Sequence, residues 1–208
     1  MILYHNPLSA NCRRVTMTAA YLGLPLEEKT IDFTKGDHKT PEYLAMNANG
    51  MIPTLTDGDF KLWESRAIIQ YLAAKKPERE MLGKNAREQA DVTRWMMWDT
   101  AHLSRHVGTV LYETAIKKLF NMGPPDEAAV KAALEQIQRF YGVLDTNLKG
   151  KKYLVGDSLT LADLSVAPTF TYADRVPVPL DDYPNIKAWL ARIMALDCWK
   201  KTQPVFPA

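Results

Sequence analysis

The spacing of apolar positions changes once along this chain, near residue 85. Before that point the elements are short. Ile2-Leu3-Tyr4-His5 is a brief apolar run with a β-forming tyrosine and predicts a strand. From Asn11 to Leu22, the apolar side chains Val15, Ala19 and Leu22 share one helical face, and Gly23 ends the pattern. Leu26 to Asp32 predicts a weaker strand whose Glu27, Glu28 and Lys29 suit a sheet edge. A Gly36-containing loop over Lys35 to Lys39 and a helical turn over Pro41 to Met46 follow. Leu55 to Phe60 predicts a hairpin turning at Asp57-Gly58. Ala67, Ile68, Ile69, Tyr71 and Leu72 then repeat at helical spacing, with Ser65 at the position expected of an N-cap. The predicted order is βαβαββα.

Beyond the charged stretch Pro77 to Lys84 the pattern is helical throughout. Ala86 to about Phe120 contains no proline, and Gly108 is its only breaker. Such a run spans roughly 50 Å if unbroken, and Gly108 is the expected place for a kink. Val130, Leu134, Ile137, Tyr141, Leu144 and Leu148 mark an amphipathic helix. Thr160-Leu161-Ala162-Asp163 reads as a capping box with Asp in place of the usual Glu or Gln, which assigns Asp163 to folding. A last clear helix carries Ile186, Trp189, Leu190 and Ile193. We therefore divide the chain into an α+β domain over 1–77, a linker over 78–85 and an all-α helical-bundle domain over 86–208.

Composition narrows the function classes. The 208 residues carry a net charge of only +2, which asks for neither nucleic acid nor an anionic membrane surface. No apolar run is long enough to span a bilayer. The opening residues lack a basic, apolar and small-residue leader pattern, so a cytoplasmic location is expected. Cys12 and Cys198 are far apart and are expected to be free thiols. His5, His38, His102 and His106 do not combine with them into a metal-ligand spacing, so no metal is expected.

Candidate chemistry gathers on two nearby segments. Ile52-Pro53 offers a backbone edge before the hairpin, and a cis bond there would hold that edge open. Glu64-Ser65 opens a helix, whose free N–H groups and dipole suit a carboxylate, while Glu64 suits an ammonium. Together they fit a zwitterionic, peptide-like ligand. The run Asn49 to Ala73 resembles the glutathione-binding half of the cytosolic glutathione S-transferases, in a serine-type pattern like phi, theta and bacterial members. That resemblance, which extends to both ends of the chain, implies a thioredoxin-like first domain. It also implies a helical second domain carrying a hydrophobic substrate pocket.

The resemblance implies roles residue by residue. Ser9, in Ser9-Ala10-Asn11-Cys12-Arg13-Arg14, would donate a hydrogen bond to the glutathione sulfur and stabilise its thiolate. His38 and Lys39 would face the glycine carboxylate. Ile52 and Pro53 would present the edge for the cysteinyl part, and Glu64 and Ser65 would hold the γ-glutamyl end. Arg66 would point to solvent or to the partner subunit. Trp95, Asp99, His102 and His106 fall on one predicted helix face. Asp99 from the second subunit would reach the glutathione ammonium, and His102 and His106 would line the electrophile pocket, with the tail Thr202 to Ala208 contributing. The sequence departs from the family at Met51, where a polar residue is usual, and at Asn47-Ala48-Asn49-Gly50, which lacks the aromatic key that locks some dimers.

The implied activity is transfer of glutathione, as cosubstrate with no permanent cofactor, to hydrophobic electrophiles, with reduction of organic hydroperoxides by the same thiolate. A homodimer is the implied assembly. Two alternatives compete. Ser9-x-x-Cys12 has thioredoxin-type spacing, so Cys12 could serve a glutathione-dependent thiol transferase, or it could be a buried small hydrophobe. The same fold could also serve as a noncatalytic ligand-binding protein.

Overall fold

The computed structural model describes residues 1–204. Two compact units divide the chain, one formed by Met1–Lys84 with the segment from Met194 onward, the other by Asn85–Ile193. The first division falls between Lys84 and Asn85. The segment after Ile193, expected in the second domain, instead belongs to the first unit. The helix over Asp197–Lys201 belongs to the first unit, where Trp199 is 2 % exposed. Its backbone carbonyl accepts from Arg13 Nη2 at 3.0 Å, and the Arg13 guanidinium lies 3.8 Å from its ring centroid. Of the tail expected in the electrophile pocket, residues 205–208 lie outside the described residues.

The first unit holds strands β1 (Ile2–His5), β2 (Glu27–Thr30), β3 (Thr54–Asp57) and β4 (Phe60–Trp63), in the spatial order β2-β1-β3-β4. β1 runs parallel to β2 and antiparallel to β3, and β3 and β4 form the hairpin, with Asp57 opposite Phe60 and Gly58 at φ 63° in the turn. This is the thioredoxin-like arrangement. All four β2 residues are exposed, as an edge strand blunted by charge should be. Helix α1 (Ala10–Leu22) packs on α3 (Ser65–Ala74), and α2 (Pro41–Leu44) is a single turn. Leu3, Val15, Leu55, Ile68, Ile69 and Leu72 are fully buried between sheet and helices, each contributing about 1.5–3 kcal/mol relative to exposure.

In the second unit the helical run is continuous but is not one α-helix. It comprises α4 (Ala86–Trp98), α5 (Ser104–Leu111) and α6 (Lys117–Leu119), separated by π-helical segments Asp99–Leu103 and Tyr112–Ile116. The irregularities thus fall away from Gly108, which lies within α5. A threonine marks each: Thr100 Oγ1 donates to Met96 O at 3.0 Å and Thr114 Oγ1 to Val110 O at 2.7 Å, a back-bonding that competes with the regular ladder. Helix α7 (Glu127–Leu148) follows its apolar stripe. Short α8 (Leu161–Val166) starts with the expected capping box, and α9 (Pro184–Met194) begins where Asp145 of α7 accepts from the N–H groups of Asn185 and Ile186 at 2.8 and 3.0 Å.

Asp163 is the polar centre of this unit and is fully buried. Its Oδ2 accepts from Thr160 N at 3.0 Å and Thr160 Oγ1 at 3.3 Å, and its Oδ1 from Leu154 N and Trp189 Nε1, both at 2.9 Å. One carboxylate therefore ties a loop, a helix start and a core indole together. Among the described residues, no helix is long and apolar enough to cross a membrane, and no cluster of His, Cys, Asp or Glu is arranged to hold a metal ion.

Candidate active site

Strand register brings the candidate segments of the first unit to one end of the sheet. Tyr4 pairs with Thr54 and Thr54 with Trp63, while His5 pairs with Thr30. The chain leaving β1 toward Ser9, the chain leaving β2 toward His38, the Ile52-Pro53 approach to β3 and the Glu64-Ser65 exit from β4 consequently share that end. Asn6 stitches two of them by donating from Nδ2 to Ile31 O at 3.3 Å. Gly50 stitches two more. It sits at φ 60°, and a Cβ there would meet His38 O at 3.1 Å, so both its backbone angle and its close approach to the His38 loop require glycine.

Ser9 is the N-cap of α1, and its half-buried Oγ accepts from Cys12 N at 3.4 Å. That bond uses a lone pair and leaves the hydroxyl proton for a further acceptor. Capping and anion binding are therefore compatible in one side chain. Cys12 does not fit the thiol-transferase alternative. It is fully buried, and desolvation pushes its thiol up to about 11, against smaller lowering effects from Asn6 N–H, Ser9 and Arg14. A nucleophilic cysteine needs access and thiolate character, and Cys12 has neither; it is the small core residue of the other reading.

The edge before β3 rests on a buried polar network that the sequence reading missed. Tyr43 and Asn47 are each 2 % exposed, and both donate to Met51 O, at 2.6 and 2.9 Å. Both also bond the fully buried Thr54 Oγ1, at 2.9 and 3.0 Å. Burial raises the Tyr43 phenol pKa and keeps it a neutral donor. The Met51-Ile52-Pro53 strap, whose Ile52-Pro53 bond is cis, is thus anchored through its first carbonyl. Met51's own side chain is 61 % exposed and does not take part.

The α3 start corrects one expectation. Ser65 is the first helical residue rather than the N-cap; Glu64 takes the cap position at φ 71°, ψ 108° and makes no side-chain capping bond. A non-glycine residue in that region is strained, and such strain concentrates at ligand sites. The Ser65 hydroxyl has a different partner: the buried Arg14 of α1 donates to it from Nη1 at 3.0 Å. Glu64 remains exposed and Arg66 half-buried. His38 stacks on Phe33 with centroids 4.3 Å apart, and Lys39 is exposed.

In the second unit the four residues expected on one face separate. The π-helical segment after Trp98 inserts a residue into the turn and rephases the helix. Trp95 and Asp99 face the core, whereas His102 and His106 stack on Phe140, with centroids 5.0 and 5.9 Å away. Asp99 is fully buried and accepts from Thr169 Oγ1 at 2.9 Å. A carboxylate so enclosed does not reach a ligand of a second subunit, and that expectation is withdrawn. His102 also borders an open depression of about 720 Å³, with Met97, Trp98 and Ala101. His106 does not line it.

The family assignment follows from both halves of the chain. The pattern described as glutathione S-transferase, N-terminal domain, matches residues 3–80, and that of the C-terminal domain matches residues 106–197. Glutathione S-transferase 3 of Zea mays is 36 % identical over 211 residues, covering 99 % of this chain and 94 % of that protein. The probable glutathione S-transferase GSTF2 of Oryza sativa subsp. japonica is 34 % identical, covering 94 % of this chain and 92 % of that protein. Among solved structures, glutathione S-transferase I from maize, in complex with an atrazine glutathione conjugate, superposes with a TM-score of 0.88 at 33 % identity, covering 97 % of this chain and 95 % of that one. This chain belongs to the cytosolic glutathione S-transferase family, and plant phi-class members are among its relatives.

Proposed function

We propose that this protein is a glutathione transferase in which Ser9 stabilises the glutathione thiolate for attack on hydrophobic electrophiles. The observation that carries the reading is the convergence of Ser9, the Ile52-Pro53 edge and Glu64-Ser65 at one end of one sheet. Family membership supplies the ligand. Glutathione lies along the edge as a cosubstrate, its γ-glutamyl carboxylate at Ser65 and the α3 start, its ammonium at Glu64, and its glycine carboxylate toward His38 and Lys39. A free thiol of pKa about 8.5 is mostly protonated near neutrality. The Ser9 hydroxyl, donating at the N-terminus of α1, favours the thiolate without itself losing a proton. The sulfur then forms the S–C bond while the leaving group departs with its electron pair. The same thiolate is expected to reduce organic hydroperoxides, and a cytoplasmic homodimer is the expected working form.

The test is the thiol pKa of bound glutathione, read by ultraviolet thiolate absorbance in wild type and Ser9→Ala. A bound pKa at least one unit below that of the free thiol, rising toward it in Ser9→Ala with kcat/KM lowered about 100-fold, supports the reading. Binding without any depression of that pKa, or an unchanged Ser9→Ala, refutes it.

A further inference from the structure

Arg14 sits beneath the anion site and has no assigned role. It is 1 % exposed, on the α1 face that also buries Thr18 one turn later. Its Nη1 donates to Asn11 Oδ1 at 2.7 Å and to Ser65 Oγ at 3.0 Å. A serine hydroxyl has one proton and two lone pairs. With a guanidinium N–H directed into one lone pair, the Ser65 proton cannot point toward Arg14 and must be offered elsewhere. A charge-assisted bond received from below also polarises the O–H and strengthens it as a donor.

We propose that Arg14 is a positioning residue that sets the donor direction of Ser65 and thereby selects a carboxylate at the start of α3. The inference rests on the functional reading above, in which that carboxylate belongs to the γ-glutamyl group. Asn11, one turn earlier on α1, holds the guanidinium in line. Through this chain of contacts the helix that Ser9 caps also orients the far end of the ligand, so sulfur and carboxylate are registered against one rigid element.

The experiment compares glutathione with its analogue lacking the γ-glutamyl α-carboxylate, by calorimetric Kd, in wild type, Arg14→Met, Arg14→Lys and Asn11→Ala. Wild type is expected to prefer glutathione about 30-fold, the range of a charge-assisted hydrogen bond. Arg14→Met should reduce that ratio to about threefold or less, with the analogue's own Kd nearly unchanged, and Arg14→Lys should restore most of it. Asn11→Ala, which leaves Arg14 in place, should lower the ratio about threefold and serves if Arg14→Met does not fold. Equal weakening of both ligands in the variants, with the ratio intact, makes Arg14 a general support of the fold and overturns the proposal. A wild-type ratio near one removes the carboxylate subsite itself, so failure of the underlying reading is seen in wild type alone.

Discussion

The carboxyl of Asp163 sets two large effects against each other, and their balance is measurable. Four donors, from Leu154, Thr160 and Trp189, favour the ionised form. Complete burial disfavours it and dominates, raising the pKa from 3.8 to about 6. The native state therefore binds more protons than the unfolded chain between those two values. This contribution to stability is fully present below the unfolded pKa and is lost as pH rises through the folded one. Over the two values the difference is about 3 kcal/mol. Asp163→Ala removes the titration and leaves buried donors without an acceptor, at about 1–3 kcal/mol each, and a net loss of about 4 kcal/mol at pH 7.5 is expected. Asp163→Asn can keep one pair of bonds, but its NH₂ then faces the donors of the other pair, and about 2 kcal/mol is expected to be lost. Urea unfolding followed by tryptophan fluorescence at pH 4.5, 5.5 and 7.5 gives the comparison. The gap between wild type and Asp163→Ala should be widest at pH 4.5 and narrow toward pH 7.5. A gap that widens with pH would mean that the hydrogen bonds outweigh burial. An Ala cost below about 1 kcal/mol would mean that the carboxylate does not organise this core.

Two further substitutions test the first unit. Cys12→Ala should leave kcat and the glutathione KM within about twofold of wild type, because the thiol is buried and protonated; loss of turnover would restore the thiol-transferase reading. Tyr43→Phe removes one donor to Met51 O, and about 1 kcal/mol of stability, together with a several-fold rise in glutathione Kd, is expected in melting and calorimetry. Unchanged glutathione affinity would show that Asn47 alone holds the strap.

Much of the first unit was legible because its signals are local. Asp57-Gly58 announced the hairpin, Gly23 the end of α1, and the charges of Glu27 to Lys29 an edge strand, and each is found where it was expected. Ser9, the Ile52-Pro53 pair and Glu64-Ser65 were legible as candidate positions, though only strand pairing brings them to one end of the sheet. The π-helical segments were not legible, since the apolar period alone passes smoothly over Thr100 and Thr114. That missed rephasing turns His102 and His106 away from the face of Trp95 and Asp99. Ser65 was misread as a cap because cap and first-turn serines look alike in sequence. What separates them is Arg14, five residues beyond Ser9 in a different helix. Arg14 itself was open to detection: it falls one turn before Thr18 on the buried face of α1, where an arginine requires an internal partner.

The two acidic residues that looked most alike in sequence, Glu64 and Asp99, end in opposite environments, and the contrast explains how the site is built. Asp99 is enclosed and bonded to Thr169, so its polarity serves the core. Glu64 is held at φ 71° with its side chain exposed and makes no side-chain capping bond. In the proposed function this leaves the helix start for the ligand's carboxylate and Glu64 for its ammonium. Ser9 and Ser65 follow the same logic from the other direction: each accepts one hydrogen bond from within, from Cys12 N and Arg14, and so retains a proton to give. On the function proposed above, a zwitterionic ligand would complete the bonding these positions leave open, whereas Asp99 and Cys12 are enclosed in the core.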